Sequence, residues 1–367
     1  MELRAAAVVV CLMILAAVLL VPIPANAAAA WERKADMPTA RSNFGVAALN
    51  GKVYVAGGLI EGSPDIATDV VEAYDAGSNT WTTVAPMPGP RHGLVLLAVR
   101  GKLVAAGGAA DASAPAVPTN STFVYDPGPN RWSTNRTMPA ARIWASGLVF
   151  GGNAEVWGGA GPFPSSSTNT RFAYDVGTDL WTAVQTMPMN VTNFGLAVVG
   201  QTAYSTGGWR NDPNVVAVSL PTGTWQLASP MIQGRGAHAS ADLDGLVYAI
   251  AGVTANTTEY VPSRSVEAYS PTNNTWQRVA DYPEPVHSLG AVRVGSVLLA
   301  MGGTNGTVSF RTVYALTSTT PSTPPPASGP PWTIIGFAVA VGVVLVIAVA
   351  VLLMRSRRRA PPPTSPP

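Results

Sequence analysis

The chain has 367 residues, 47% of them hydrophobic and only 11% charged, with a formal net charge of +2. Residues 28–331 hold 17 basic and 19 acidic side chains, so the positive balance comes from the two ends, and the body of the chain offers no basic field for nucleic acid. Cys11 is the only cysteine and lies near the N-terminus, which excludes disulfides and thiolate chemistry from everything that follows it.

Residues 1–27 open with Arg4, an apolar run over 5–21, Pro22 and Pro24, and a small-residue site at Ala25-Asn26-Ala27. This order is that of a secretory signal peptide cut after Ala27, with an uncleaved anchor as the alternative because the apolar run is 17 residues long.

A unit of about fifty residues then repeats. Its clearest copy starts at Arg41 with an apolar run over 44–49, a turn at Asn50-Gly51, then Val53-Tyr54-Val55-Ala56 and the doublet Gly57-Gly58. After a loop come Val70-Val71-Glu72-Ala73-Tyr74-Asp75, a turn at Gly77-Ser78-Asn79, Trp81 and Met87-Pro88. Four short apolar runs separated by turn residues, with no helical period, predict four strands. Tryptophans mark the period at Trp31, Trp81, Trp132, Trp181, Trp225 and Trp276, in steps of 50, 51, 49, 44 and 51. The doublets Gly57-Gly58, Gly107-Gly108, Gly158-Gly159, Gly207-Gly208, Ala251-Gly252 and Gly302-Gly303 keep the same steps. Tyr74, Tyr125, Tyr174 and Tyr269 stand seven residues before a tryptophan, with Val218 in that place in the fourth unit.

Trp31 has no such tyrosine before it, and Tyr314 has no tryptophan after it. Each end holds the half that the other lacks. The expectation is six four-stranded blades over residues 28–316, the last stitched from the strand near Trp31 and the strand near Tyr314, which leaves no open sheet edge.

After Leu316 the composition changes. Residues 317–331 are rich in Ser, Thr and Pro and read as an extended stalk of about 45 Å at about 3.1 Å per residue. Residues 332–354 carry no charge over 23 positions, long enough to span a bilayer as a helix. Arg355, Arg357, Arg358 and Arg359 follow, which sets the tail 355–367 in the cytoplasm and the propeller outside.

The Gly-Gly doublets, the Tyr-Asp pairs (Tyr74-Asp75, Tyr125-Asp126, Tyr174-Asp175), the following tryptophan and Met-Pro-x-x-Arg (Arg41, Arg91, Arg142) resemble the kelch repeat, over about residues 30–316. Ala251, Val218-Ser219 and the missing arginine near Val191 depart from it. The resemblance implies an all-β, six-bladed kelch-type β-propeller with closure by the N- and C-terminal strands, followed by one C-terminal transmembrane helix. It also implies that the loops after the doublets share one face with the segments joining an outer strand to the next inner one. That face would carry Asn43, His92, Arg142, Trp144, Asn193, Trp209, Arg210, Arg235, His238 and His287, besides Arg41 and Arg91. Variable loops on a rigid scaffold are where binding usually resides.

The arginines recur at the repeat period, which favours a scaffold role over ligand contact. Trp144 and Trp209 do not recur, and read either as stacking platforms for a sugar ring or protein partner or as core. The three histidines come from different units without metal-ligand spacing, so no metal and no cofactor are expected. A galactose-oxidase-like copper site needs a cysteine-crosslinked tyrosine, for which the mature chain has no cysteine. Asp75-x-Gly77-x-x-Thr80-Trp81 superficially resembles a sialidase aspartate box but has Ala73 where that box has Ser. No catalytic set is singled out.

Six sequons, at Asn120, Asn135, Asn190, Asn256, Asn273 and Asn305, fall in predicted turns or loops, five of them on the presumed binding face and Asn273 on the other. The sequence thus points to a single-pass cell-surface protein that presents a kelch propeller as a binding or adhesion module for a protein or glycan ligand. Two alternatives stay open: an exported sugar mutarotase resembling sialic-acid epimerase-type kelch enzymes, which needs only acid–base residues on the face, and a structural cell-envelope glycoprotein.

Overall fold

A computed structural model describes residues 30–61, 65–112, 116–162, 167–209, 212–255 and 260–317. The chain divides into two units, Met1–Thr319 and Thr320–Pro367, and all described residues belong to the first. The expected signal peptide, the stalk beyond Thr317, the span 332–354 and the basic tail lie outside the described residues. Among the described residues, no helix is long and apolar enough to cross a membrane.

The described residues form six antiparallel four-stranded sheets. The first is Gly45–Leu49, Lys52–Ala56, Val71–Asp75 and Thr80–Val84, in chain order from the inner edge outward. The next four repeat this order, with inner strands Val95–Val99, Ser146–Phe150, Gly195–Val199 and Ala239–Leu243. The sixth takes Gly290–Val294, Val297–Met301 and Val313–Thr317 from the C-terminal end and Trp31–Arg33 from the N-terminal end. The seam pairs Trp31 with Leu316 and Arg33 with Tyr314. The six inner strands contact one another in a closed cycle, so the sheets stand as blades around a central channel.

Local chemistry explains the blade. Asn50 and Gly51 both take left-handed φ, 51° and 78°, which a two-residue hairpin needs to match the strand twist. The third strand is buried along most of its length, whereas the outer strand alternates half-buried and exposed residues. At Gly57 the backbone turns with φ of 66°, and a Cβ there would stand 2.2 Å from the Arg91 carbonyl oxygen. The doublet therefore lets the incoming segment of the next blade pass against the strand end.

Tyrosine and tryptophan join one blade to the last. In the first blade Asn79 Oδ1 accepts from the Tyr74 hydroxyl at 2.7 Å and from the amide of Ala35 at 2.8 Å. Trp81 Nε1 donates to the Ala35 carbonyl at 2.9 Å. Tyr125, Asn130 and Trp132 hold Ala85 in the same way, and Tyr269, Asn274 and Trp276 hold Ser229. The fourth blade, with Val218 for tyrosine, breaks the rule: the Trp225 indole N–H is buried without a partner among the described residues. Trp225 instead packs edge-on to Trp157 at 5.6 Å, and the Arg171 guanidinium lies 3.9 Å from the Trp157 ring centroid.

At the seam Trp31 donates to the Ala280 carbonyl at 3.1 Å and meets Tyr282 edge-on at 5.2 Å. Trp31 is half-buried, so Trp31→Ala is expected to destabilise the propeller by about 2 kcal/mol, less than the loss of a fully buried tryptophan costs. Urea denaturation checks this, and a loss below about 1 kcal/mol would show that the seam strand contributes little.

Candidate functional site

The loops after the second strands and the segments leading to the next inner strand lie on one face of the disc, as the antiparallel strand order requires. Six residues of that face, one before each inner strand, take left-handed φ: Asn43, Gly93, Trp144, Asn193, Ala237 and Ser288, between 49° and 61°. Their backbones form a closed hoop. The Gly93 amide donates to the Asn43 carbonyl (2.7 Å), Trp144 to Gly93 (2.9 Å), Asn193 to Trp144 (3.1 Å), Ala237 to Asn193 (2.8 Å), Ser288 to Ala237 (2.7 Å) and Asn43 to Ser288 (2.9 Å). The hoop rings the mouth of the central channel and fixes six Cα positions relative to one another. Asparagine and glycine adopt this conformation readily; a tryptophan held there is strained, and such strain concentrates at functional sites.

Trp144 and Asn193 also line a cleft of about 460 Å³ toward the third and fourth blades, with Ser167, Asn190, Thr192, Trp209 and Asp212. Trp209 is 54% exposed, a large apolar surface to leave in water, while Trp144 is half-buried. The Thr192 hydroxyl donates to the Trp144 carbonyl at 3.3 Å, and Asp212 Oδ1 accepts from the Asn214 amide at 2.9 Å, so two walls are pinned.

The structure thus brings together Trp144, Asn193 and Trp209 in the cleft, and Asn43, Trp144, Asn193 and His238 at the mouth. Arg210 lies outside the described residues. Arg235 is fully buried: its guanidinium donates to the carbonyls of Ala251 (2.9 Å) and Ser265 (2.6 Å) and pairs with Glu267 at 2.6 Å. Its reach is inward, into the blade, where it meets two strand-end carbonyls and a carboxylate. Arg41 and Glu72 repeat the pair in the first blade at 2.8 Å. In the second and third blades phenylalanine replaces the glutamate, and Arg91 and Arg142 lie over Phe123 and Phe172 at 5.0 and 5.5 Å. Arg142 also donates to Thr170 Oγ1 at 2.5 Å. These arginines hold loop and strand together and stand apart from the cleft lining.

Among the histidines, His92 bonds the Asp111 carbonyl at 2.7 Å and His287 Nδ1 meets Ser288 Oγ at 3.0 Å. Burial lowers the pKa of both. His238 Nε2 meets Thr206 Oγ1 at 2.9 Å, which in turn meets Ser240 Oγ at 2.9 Å. Burial, with a smaller contribution from Arg235, drives the His238 pKa down to about 3. It stands in the register that Phe44, Leu94, Ala145, Phe194 and Leu289 hold in the other blades, the one polar member of that ring. Among the described residues no three His, Cys, Asp or Glu side chains group as a metal site would need.

Of the sequon asparagines, Asn190 and Asn273 are exposed. Asn120 turns its amide inward to the Met138 carbonyl at 3.1 Å, Asn135 donates to Asp179 at 3.3 Å, and Asn305 Oδ1 accepts from the amides of Thr307 and Val308. Asn256 lies outside the described residues.

Sequence reasoning missed Ser167, Thr192 and Asp212 in the cleft and Ser288 at the mouth. One signal was present: Ser42-Asn43-Phe44-Gly45 and Thr192-Asn193-Phe194-Gly195 are near-copies in the same register.

Six radial four-stranded sheets with a strand-exchange seam define a six-bladed β-propeller. Two stretches, residues 40–88 and 234–281, match the family model of the Kelch motif. They cover the first and fifth blades, the two in which the arginine before the inner strand pairs with a glutamate of the third strand. This chain is thus a six-bladed β-propeller that carries the Kelch motif in two of its blades. It is 33% identical over 100 residues to Kelch-like protein 35 of Mus musculus, covering 27% of this chain and 17% of that protein. To Kelch-like protein 25 of Xenopus tropicalis it is 30% identical over 122 residues, covering 30% and 20%. The match thus spans about a fifth of the length of these relatives. Among solved structures, that of YjhT superposes with a TM-score of 0.68 at 16% identity, over 77% of this chain and 96% of YjhT, a likeness of fold.

Proposed function

We propose that this chain is a carbohydrate-recognising propeller whose ligand stacks in the cleft between the third and fourth blades. The observation that carries this reading is the convergence of Trp144 and Trp209 on one cleft with Asn190, Thr192, Asn193 and Asp212. Aromatic faces suit the apolar side of a sugar ring, and amide, hydroxyl and carboxylate groups beside them suit its hydroxyls. In this reading the leader exports the propeller and the span 332–354 holds it at the outer face of the cell membrane, with the stalk as spacer and the tail inside.

The test is a glycan array followed by titration of the hits. Trp209→Ala and Trp144→Asn are each expected to weaken binding at least tenfold with the melting temperature unchanged. Asparagine is chosen at 144 because it already occupies the same left-handed position at Asn43 and Asn193. Glycan binding that ignores both changes removes the cleft as the site.

A second reading is an exported sugar mutarotase, an activity that a propeller by itself can carry. YjhT is covered over 96% of its length by this propeller, whereas the Kelch-like relatives share only about a fifth of theirs. Mutarotation needs one group to take the anomeric hydroxyl proton and another to protonate the ring oxygen. Asp212, the carboxylate of the cleft, suits the first role, while His238 is buried and neutral, which leaves the second to water. Exchange between anomers, followed by NMR, is expected to accelerate with the wild-type chain and to slow at least tenfold in Asp212→Asn; equal rates with and without protein leave recognition alone.

A further inference from the structure

Resting on the carbohydrate reading of the cleft, we propose that the site takes a neutral oligosaccharide of at least two units, one ring in the cleft and the next at the channel mouth. Cleft and mouth adjoin, since Trp144 and Asn193 line both. Their chemistry differs in the way two subsites would require. The cleft offers the tryptophans for stacking. The mouth offers the side chains of Asn43, Asn193 and Ser288, which donate and accept hydrogen bonds as sugar hydroxyls do. In the order of the hoop, Asn43 lies opposite Asn193 and Ser288 opposite Trp144, so a ring at the mouth is met from both sides. The hoop holds these positions at fixed separations, which spares a ligand the cost of ordering them.

Charge selects the class. Of the described residues lining cleft and mouth, only Asp212 and His238 are ionisable. Asp212 would repel a carboxylated sugar, and the neutral imidazole does not offset it.

The experiment is calorimetric titration of the full chain with methyl glycosides of glucose, galactose and N-acetylglucosamine, with their di- and trisaccharides, and with sialylated or glucuronate-bearing counterparts. Asn43→Gly and Ser288→Ala probe the mouth, because glycine and alanine already occupy the hoop at Gly93 and Ala237. A disaccharide is expected to bind at least tenfold tighter than the methyl glycoside of the same sugar. Both mouth variants are expected to abolish that gain and leave the methyl glycoside unaffected, and acidic counterparts to bind at least tenfold more weakly. Equal affinity for one and two units, or tighter binding of the acidic sugars, with Trp209→Ala still weakening both, overturns this inference and leaves the cleft reading standing. Binding that Trp209→Ala does not touch, or none to any sugar, overturns both.

Discussion

Glu267→Gln is expected to destabilise the propeller by about 3–5 kcal/mol, the cost of leaving one member of a buried ion pair without its partner. Both side chains are fully buried, and the carboxylate serves more than the arginine. Glu267 Oε2 accepts from the amide of Ile232 at 2.8 Å and Oε1 from that of Gln233 at 3.1 Å, so it also pins the segment entering the fifth blade. Glutamine turns an NH₂ toward one of those donors and leaves the Arg235 charge unbalanced. Arg235→Val combined with Glu267→Val is expected to recover part of the loss, because the two charges vanish together. Val191 and Val216 hold these two places in the fourth blade, so the fold already accepts that pair. What stays lost is the pairing of the Ile232 and Gln233 amides. Urea denaturation of the single and double variants decides it: a double variant worse than Glu267→Gln by the full sum would mean that the two side chains act independently.

Acid should unfold the protein through its histidines. Folded His238 stays neutral down to a pH of about 3, whereas in the unfolded chain the imidazole takes up its proton near pH 6.5. Between these values the unfolded state binds more protons, so stability falls as pH falls, by about 1.4 kcal/mol per pH unit from this one side chain. Above pH 6.5 both states are neutral and the contribution is flat. His92 and His287, also lowered by burial, add in the same direction. His238→Leu, the residue at 94 and 289, removes the titration and leaves Thr206 its bond to Ser240. The measurement is unfolding free energy against pH: the variant's slope between pH 6 and 4 should be shallower by about one proton, and an unchanged slope would show that His238 is protonated in the folded state.

The arginines and the cleft show where reading the chain was sufficient and where it was not. Recurrence of Arg41, Arg91, Arg142 and Arg235 at the repeat period signalled a scaffold role, since a residue needed in most copies serves what the copies share. Their partners were out of reach, because Glu72 and Glu267 lie 31 and 32 residues downstream and the same position is phenylalanine in two blades. Trp144 and Trp209 stood out by failing to recur, yet 65 residues separate them. Asp212 and Ser167 had no pattern at all, being loop residues whose neighbours are set by the path of the chain. The hoop was hidden for another reason: its bonds run between backbones, and Asn, Gly, Trp, Ala and Ser all serve in it.

By itself the sequence determined the number of blades and the closing of the ring by its two ends. Strand pairing follows alternation and turn chemistry, both local, and a missing half-repeat at each terminus can be satisfied only by the other. Which side chains share a cleft, which arginine is locked away and which histidine stays neutral were decided by the tertiary structure. Those properties depend on distances between residues from different blades and on how far each is removed from water, and neither quantity exists until the ring has closed.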